Sequence, residues 1–540
     1  MNIRSVALQP FAGQKPGTSG LRKKVREFQQ PGYLEAFVQS LFDTRADLKG
    51  GTLALGGDGR YFNREAVQII LRLAAANGVA HVLLGQGGLL STPAASAVIR
   101  AHDAQGGIVL SASHNPGGPH GDFGIKYNIG NGGPAPEAVT EAIYRRSQEI
   151  DRYLTIDAAD IDLDRLGAAT LGGMRISIID PVADHAALLQ TLFDFDAIRD
   201  LLHSGFRMRF DGMHAVTGPY ARRVLVDMLG APESLLLNAV PLPDFGGGHP
   251  DPNPAHAEEL VGLMPGLDFG AASDGDGDRN MILGPGIAVS PSDSLAVLAA
   301  NATLAPGYAA GIAGIARSMP TSRAADAVAK QLGLPCFETP TGWKFFGNLL
   351  DAGRITLCGE ESYGTSSNHV REKDGLWAVL FWLNLLAKRR EPVANILAQH
   401  WRQFGRHYYS RHDYEAVETA TAQAAMADLA KALPGLVGRS IDGMAITQAD
   451  DFAYTDPIDG SVSKAQGLRV ICGEAARVIA RLSGTGTEGA TVRLYFERFE
   501  ADPARQHDDV QARLKPLIDF AESQLGLRRR SGRAGPDVVT

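Results

Sequence analysis

The sequence is poor in cysteine, with three in 540 residues, namely Cys336, Cys358 and Cys472. Three thiols cannot build a disulfide framework, so disulfide-stapled secreted domains are excluded and a reducing compartment, the cytoplasm, is predicted. An excess of positive charge is also missing, because 52 Lys and Arg stand against 60 Asp and Glu. The resulting net charge of −8 argues against a broad nucleic-acid surface.

Long apolar segments are missing as well. The first 17 residues contain no apolar core of a signal peptide. The uncharged stretch 294–316 is alanine-rich and is divided by Pro306-Gly307, which predicts a helix, a turn and a strand. The more apolar stretch 376–387 is shorter than the ~20 residues that a membrane span needs. We therefore expect a protein without a membrane partner.

What the chain does have is a regular alternation of apolar strands and amphipathic helices through its first 360 residues. A helix predicted at 64–76, for example, ends at Asn77-Gly78, a helix C-cap signal. The alternation predicts α/β layers with mixed, largely parallel sheets. Because such sheets bind ligands beyond the carboxyl ends of their strands, we expect chemistry in the loops after Ser111, Ser273 and Cys358.

The last 130 residues follow a different pattern. A helix predicted at 420–433 is followed by hairpin-like strands at 475–482 and 490–497. Strands joined in this way, without intervening helices, are typical of an antiparallel sheet. The sequence therefore predicts a separate C-terminal α+β domain.

The loop 111–118 leaves an apolar strand and contains one proline and two glycines, which predict a tight turn. Ser113 in this turn is a candidate nucleophile, and Lys126 follows thirteen residues later. A serine hydroxyl needs a base or a metal to become reactive. On this loop alone, a polar turn with an incidental serine explains the residues equally well.

Asp274, Asp276 and Asp278 occur within five residues, separated by single glycines. Three carboxylates this close repel one another unless a cation lies between them, and carboxylate oxygens favour Mg²⁺, Mn²⁺ or Ca²⁺. An EF-hand is excluded, because its sixth position is Arg279 instead of Gly and its twelfth is Pro285 instead of Glu. The alternative is a solvated acidic turn.

Two further polar loops complete the pattern. In loop 359–375, Glu360 and Ser362 are suited to sugar hydroxyls and Lys373 to phosphate, although a charged solvent loop is the simpler reading. Loop 481–489 contains G-x-G-x-x-G, but a predicted strand follows it, which excludes a dinucleotide fingerprint. Its hydroxyls and backbone N–H groups, with Arg493 beside them, form either an anion cradle or a plain hairpin.

Together the four loops indicate phosphoryl transfer on a phosphosugar. From residue 14 to 540 the chain resembles the α-D-phosphohexomutase superfamily, and segment 371–380 favours its glucose-specific type over the phosphomannomutase and phosphoglucosamine mutase types. The segments that carry the resemblance are 14–22, the N-terminal motif; 113–116, the phosphoserine loop; 274–279, the magnesium loop; 341–344 and 359–375, the sugar-recognition segments; and 481–493, the phosphate-binding loop.

The resemblance implies four domains around one central cleft. The expected boundaries are 1–187 for the domain with the phosphoserine loop, 188–290 for the metal-binding loop, 291–403 for the sugar-recognition loop and 404–540 for the C-terminal α+β domain. The implied reaction is that of a phosphoglucomutase, which interconverts α-D-glucose 1-phosphate and α-D-glucose 6-phosphate. It proceeds through a phosphoserine and a glucose 1,6-bisphosphate intermediate, which also acts as an activator.

The resemblance also assigns roles to residues of this chain. The implied catalytic residues are Ser113, Lys126 and His114. The implied Mg²⁺ ligands are Ser113, Asp274, Asp276 and Asp278. The implied substrate-binding residues are Thr18, Arg22, Arg279, Thr341, Gly342, Glu360, Ser362, His369 and Lys373. The implied phosphate-binding residues are Ser483, Gly484, Thr485, Gly486, Thr487 and Arg493.

Other functions remain open at this point. The chain resembles enzymes that use the same chemistry on related phosphohexoses or to make glucose 1,6-bisphosphate, and some relatives are non-catalytic structural proteins. The presence of Ser113, Lys126 and all three aspartates favours an enzyme over a structural protein. The expected partner is a small phosphosugar, and the expected state is a monomer or weak dimer.

Overall fold

The structure is a computed structural model that describes residues 2–17, 19–483 and 489–540. It divides into two compact units. Unit 1 contains residues 1–288, 302–311 and 363–393, and unit 2 contains residues 289–301, 312–362 and 394–540. The predicted division into four domains stays a prediction, as does their arrangement around one cleft.

The first sheet of unit 1 has seven strands with a parallel centre and antiparallel edges. In order across the sheet, the strands are Leu21–Lys24, Asp122–Ile129, Gly106–Leu110, Thr52–Gly57, His81–Leu89, Met174–Ile179 and Gly167–Leu171. Strands Ile3–Ala7 and Arg152–Ile156 pair separately. The central parallel strands Gly106–Leu110 and Thr52–Gly57 are almost fully buried, which explains why they read as short hydrophobic runs in the sequence.

The helices of this part follow local signals. The helix predicted at 64–76 spans Asn63–Ala76, and Gly78 after it adopts a φ of +80°, a conformation that favours glycine. Ser91 caps the helix Thr92–Ala101 by accepting a 3.3 Å hydrogen bond from the Ala94 N–H. The other helices here are Val25–Phe28, Tyr33–Thr44 and Glu137–Ser147.

The second sheet of unit 1 is parallel over its first three strands and antiparallel over its last two. The strands in order are Leu236–Leu237, Met208–Asp211, Phe269–Ser273, Asn280–Gly284 and Ile287–Ala288. Its helices are Ala183–Leu192, Phe195–His203, Thr217–Ala221 with its π-helical continuation Arg222–Met228, and Glu258–Leu263. Unit 1 also holds the strand Gly364–Ser367 and the buried helix Gly375–Arg389.

Unit 2 begins with parallel strands in the order Cys336–Thr339, Ile315–Ser318, Leu357–Glu360. Its helices in this part are Pro291–Ala300, Ala324–Leu332, Lys344–Asp351 and Val393–Phe404. The stretch 294–316 therefore contains the predicted helix and the start of the predicted strand, and no helix of the described chain is long and apolar enough to cross a membrane.

The C-terminal part of unit 2 is an antiparallel sheet covered by helices, as predicted. Its strands in order are Gln448–Asp451, Leu468–Cys472, Ala476–Ser483, Ala490–Glu500, Arg406–Val417 and Val538–Val539. The helices are Thr419–Ala432, Val510–Leu525 and Leu527–Ser531, and the short pairs Ser440–Ile441 with Met444–Ala445 and Tyr454–Thr455 with Val462–Ser463 flank the sheet. The predicted fold class, α/β layers followed by an α+β part, is confirmed.

Candidate active site

The serine turn follows the buried strand Gly106–Leu110. Ser113 adopts a left-handed φ of +54°, which is uncommon for a residue with a side chain. The buried guanidinium of Arg60 stabilises this turn, because its Nη2 donates a 2.6 Å hydrogen bond to the Ser113 carbonyl. Arg60 is itself held by an ion pair of 2.8 Å with Asp58. The strained serine is therefore fixed by a rigid, buried cation.

The serine faces the aspartate loop. Ser113 Oγ donates a 2.7 Å hydrogen bond to Asp274 Oδ2, and both residues are buried. Gly275 allows this approach, since a Cβ at that position would lie 2.3 Å from the Ser113 carbonyl oxygen. Residues from two different sheets of unit 1 thus meet at one point.

Asp274, Asp276 and Asp278 offer carboxylate oxygens that all lie within 4.8 Å of one another. Oδ1 of Asp276 and Oδ1 of Asp278 are buried and have no hydrogen-bond partner among the residues that the structure describes. Burial, together with the charges of Asp278 and Asp276, raises the pKa of Asp274 well above its ordinary value. Clustered, unsatisfied hard oxygens fit a divalent cation such as Mg²⁺.

Lys126 lies on the strand Asp122–Ile129 and forms a short ion pair with Asp276 Oδ2. Thr92 Oγ1 lies between the two groups: it donates to Asp276 at 2.5 Å and accepts from Lys126 Nζ at 3.2 Å. Burial favours the neutral form of Lys126, but Asp276 and Asp278 outweigh it and raise the pKa of the amine. Burial would raise the pKa of Asp276, yet Lys126 and Thr92 hold it below its usual range. The structure therefore contains a cationic Lys126.

Three further cations surround the aspartates. Arg22 is buried, which lowers its pKa to about 10 against the opposing charge of Asp276. Arg279 Nη1 lies 3.2 Å from Asp251. Lys373 Nζ lies 3.3 Å from Asp278 Oδ2. Unit 1 thus combines a serine, a carboxylate cluster and four basic side chains, an arrangement suited to binding and transferring a phosphoryl group.

Two other predicted site residues of unit 1 lie beside this group. His114 follows Ser113 in the turn, and its ring lies 6.1 Å from the ring of His249. The ring nitrogens of His369 are bonded outside the cluster of three aspartates: Nε2 bonds Asp374 Oδ2 at 2.9 Å, and Nδ1 bonds Ser367 Oγ at 2.8 Å. Thr18 lies outside the described residues.

The predicted sugar-recognition residues lie together in unit 2. Glu360, at the end of the strand Leu357–Glu360, accepts a 2.8 Å hydrogen bond from the Gly342 N–H. Thr341 Oγ1 next to it is buried and has no hydrogen-bond partner in the described part of the chain. Ser362 is buried two residues beyond Glu360. A hydroxyl, an amide and a carboxylate at the end of a parallel strand are suited to binding hydroxyl groups.

The strands that flank the predicted phosphate loop are also in unit 2. Arg493 Nε lies 3.3 Å from Asp413 Oδ2 on the neighbouring strand. Ser483 pairs opposite Thr491, as a hairpin requires. Burial raises the pKa of Tyr495 to about 12, an effect to which Glu361 adds and which Arg481 and Arg493 oppose. Glu361 of the sugar-recognition segment and the two arginines beside the loop therefore act on the same tyrosine. Gly484, Thr485, Gly486 and Thr487 lie outside the described residues.

Sequence reasoning missed three residues of this site. Arg60 holds the serine turn, Thr92 joins Lys126 to Asp276, and Glu372 Oε1 accepts a 2.9 Å hydrogen bond from Asn128. Burial raises the pKa of Glu372 to about 8, against the charge of Lys126. Thr92 follows a helix-cap serine, and Arg60 stands in an unremarkable G-R-Y segment. The sequence carries a signal only for Glu372, which lies between Arg371 and Lys373.

Family profiles match nearly the whole chain. Those described as phosphoglucomutase/phosphomannomutase α/β/α domains I, II and III match residues 13–154, 184–286 and 291–404. The profile described as the phosphoglucomutase-1 C-terminal domain matches residues 406–537.

Full-length relatives agree with these matches. A phosphoglucomutase of Rhizobium radiobacter is 59% identical over 100% of both chains. The chloroplastic phosphoglucomutase 1 of Marchantia polymorpha is 54% identical over 100% of this chain and 85% of its own length. Among solved structures, the open form of pp63/parafusin from Paramecium, described as a phosphoglucomutase and an exocytosis-sensitive phosphoprotein, has a TM-score of 0.91 and 49% identity, and it covers 100% of this chain and 99% of its own.

Proposed function

The chain belongs to the phosphoglucomutase/phosphomannomutase family of enzymes, and on that premise we propose that it interconverts α-D-glucose 1-phosphate and α-D-glucose 6-phosphate through a phosphorylated Ser113. The observation that carries this proposal is the 2.7 Å hydrogen bond from Ser113 Oγ to Asp274 within the cluster of three aspartates. A nucleophile held against a metal-binding carboxylate group is what phosphoryl transfer requires.

The proposed metal ligands are Asp274, Asp276, Asp278 and, when it is phosphorylated, Ser113. The buried Oδ1 atoms of Asp276 and Asp278, which accept no hydrogen bond from the described residues, support this assignment, and the preference of hard oxygen ligands supports Mg²⁺. When bound there, the cation would neutralise charge on the oxygens of the phosphoryl group. A cation there would favour the ionised form of Asp274, whose pKa is raised by burial and by the charges of Asp278 and Asp276.

In the first transfer, the bond between phosphorus and Ser113 Oγ breaks and phosphorus bonds to the free 6-hydroxyl oxygen of glucose 1-phosphate. The hydroxyl proton passes to a base, for which His114 is the candidate. The Ser113 oxygen takes a proton from Lys126, whose cationic state suits an acid. Glucose 1,6-bisphosphate then turns over and returns its 1-phosphate to Ser113, which also explains how added bisphosphate would act as an activator.

Arg22, Arg279 and Lys373 carry the charge to hold phosphate near the aspartates. Thr341, Gly342, Glu360 and Ser362 are the proposed sugar ligands, and the buried, unpaired Thr341 hydroxyl supports that role. Ser483 and Arg493, with residues 484–487, are proposed to bind the phosphate that is not transferred. The proposed state is a monomer or weak dimer in the cytoplasm.

A coupled assay tests the function. The purified protein is given glucose 1-phosphate, Mg²⁺ and trace glucose 1,6-bisphosphate, and glucose 6-phosphate is measured. We expect turnover that chelation abolishes and Mg²⁺ restores. Absence of turnover with glucose 1-phosphate, together with turnover on mannose or glucosamine phosphates, would assign a different phosphohexomutase; bisphosphate formation from a separate phosphoryl donor would assign the synthase.

A further inference from the structure

A closed circuit of hydrogen bonds lies behind the loop that carries Lys373. Trp377 Nε1 donates to Tyr308 Oη at 2.7 Å, Tyr308 Oη and Ser367 Oγ share a hydrogen bond of 2.5 Å, and Ser367 Oγ and His369 Nδ1 share one of 2.8 Å. His369 Nε2 donates to Asp374 Oδ2 at 2.9 Å. Asp374 Oδ1 accepts the Trp377 backbone N–H at 2.9 Å, which closes the circuit.

One arrangement of protons satisfies every bond of the circuit. Burial lowers the pKa of His369 despite the opposing effect of Asp374, which favours a neutral ring with one N–H. That N–H donates to Asp374, and the other nitrogen accepts from Ser367. Burial would raise the pKa of Asp374, but His185 and His369 hold it below its usual range. The carboxylate is therefore an acceptor only, and no group in the circuit competes with its neighbour.

A second histidine fixes the circuit to another helix. His185, on the helix Ala183–Leu192, donates from Nε2 to Asp374 Oδ2 at 2.6 Å. The side chains of His185 and His369 are each 1% exposed, and that of Asp374 is 0% exposed. A substrate could reach His369 only if this buried group opened.

Asp374, one member of the circuit, lies between two residues that contact the loop of the aspartate cluster. Lys373 directly precedes Asp374, and its Nζ lies 3.3 Å from Asp278 Oδ2. Gly375 directly follows Asp374; its N–H donates to the Gly277 carbonyl at 3.0 Å, and a Cβ there would lie 2.1 Å from the Arg279 carbonyl oxygen. The Lys373 side chain and the Gly375 backbone, on either side of Asp374, thus both contact the loop 274–279.

We propose that His369 and Asp374 are positioning residues that hold Lys373 at Asp278, and that His369 is not the substrate ligand which the sequence indicates. The proposal rests on the proposed function only in that Lys373 is taken as a phosphate-binding group. The circuit holds the Asp374 side chain and so fixes the backbone of residues 373–375, while the Lys373 amine faces the carboxylate of Asp278. Long, flexible lysine side chains lose rotational freedom when held in one place, and a fixed backbone reduces that cost.

A double-mutant cycle tests the proposal by kinetics. We expect His369→Asn, which retains an acceptor near Ser367 but cannot reach Asp374, to lower kcat/KM for glucose 1-phosphate about tenfold, and to have less than about a twofold effect in a Lys373→Ala background. His203→Asn is the matched control, because His203 lies near the protein surface and bonds the Gly230 carbonyl at 3.1 Å. An equal loss in both backgrounds would show that His369 acts independently of Lys373 and would overturn the proposal.

Ser367→Ala cuts the same circuit with a smaller change in volume and serves if His369→Asn does not fold. Lysine labelling gives a readout that needs no activity: an amine-reactive reagent is applied to each variant and modification is measured by mass spectrometry. We expect Lys373 to be labelled at least about fivefold faster in the circuit variants, while Lys126, paired with Asp276, keeps its wild-type rate.

An unchanged labelling rate of Lys373 would overturn the proposal. If the wild-type protein showed no mutase activity but Lys373 labelling still followed the circuit, the proposed function would fail and the positioning role would stand.

Discussion

Ser113 Oγ and Asp274 Oδ2 are joined by a 2.7 Å hydrogen bond across 161 residues of sequence. The bond links a turn on the first sheet of unit 1 to a loop on the second, and both partners are buried. It places the only predicted nucleophile against the predicted metal ligands.

Ser113→Ala removes the proposed nucleophile. We expect turnover of glucose 1-phosphate to fall by several orders of magnitude while the fold is retained, because the hydroxyl is lost without adding volume. Intact-protein mass spectrometry after incubation with glucose 1,6-bisphosphate should detect one phosphate on the wild-type protein and none on the variant. Ser204→Ala, which removes an i−3 backbone hydrogen bond elsewhere in unit 1, is the control. Near-normal turnover of Ser113→Ala would exclude the covalent mechanism.

Asp276→Asn removes one charge from the aspartate cluster and leaves Lys126 without its closest anion. We expect weaker Mg²⁺ binding and a lower kcat, and a smaller rise in melting temperature when Mg²⁺ is added, since a ligand stabilises the state that binds it. Titration of Mg²⁺ against melting temperature and activity gives both quantities. Asp268→Asn, whose carboxylate accepts the Arg207 N–H away from the cluster, should behave like wild type. Full activity of chelator-stripped wild-type protein would contradict the metal assignment.

Arg493→Ala removes the cation that lies beside loop 481–489. Loss of a charge-assisted contact of about 1.5–3 kcal/mol should raise KM for glucose 1-phosphate about tenfold or more. We also expect kcat to fall and Mg²⁺ affinity to stay unchanged, because the aspartates belong to unit 1 and Arg493 to unit 2. Arg498→Ala on the same strand, where the guanidinium pairs with Asp442 at 2.8 Å, is the matched control. Unchanged kinetics of Arg493→Ala would show that the loop is only a hairpin.

Glu372→Gln should change how stability depends on pH. Burial raises the pKa of Glu372 from 4.5 to about 8 in the folded protein. Between these values the unfolded chain loses the proton and the folded chain keeps it, so this group makes the folded state progressively less stable as pH rises. Glutamine keeps the acceptor for Asn128 and has no proton to lose. We expect the variant to be more stable than wild type at pH 8, by on the order of 2–5 kcal/mol, and equal to it below pH 4.5.

Chemical denaturation of both proteins in chelator at several pH values measures this difference. The gap in unfolding free energy should be absent at pH 4 and should widen up to about pH 8. Asp293→Asn is a useful comparison, because burial raises the pKa of that carboxyl to about 6. The difference in unfolding free energy between this variant and the wild type should stop widening about two pH units earlier. A gap that does not depend on pH would show that Glu372 ionises normally in the folded protein.

The sequence by itself determined the elements and the loops that follow them. Asn77-Gly78 predicted the end of a helix that stops at Ala76, and the pattern after residue 489 predicted the strand that excludes a dinucleotide site. The spacing of Asp274, Asp276 and Asp278 predicted a cluster that the structure confirms. These features depend on backbone preferences and on charges a few residues apart, so they can be read locally.

Only the tertiary structure decided what those residues do to one another. The sequence did not show that Lys126 pairs with Asp276, nor that both ring nitrogens of His369 are bonded inside unit 1. Arg60 carried no signal at all, although it holds the Ser113 turn. Arg60 and Ser113 are 53 residues apart, and Lys126 and Asp276 are 150 residues apart. Such contacts cannot be read locally, because desolvation and Coulomb energy follow distance in space and not distance along the chain.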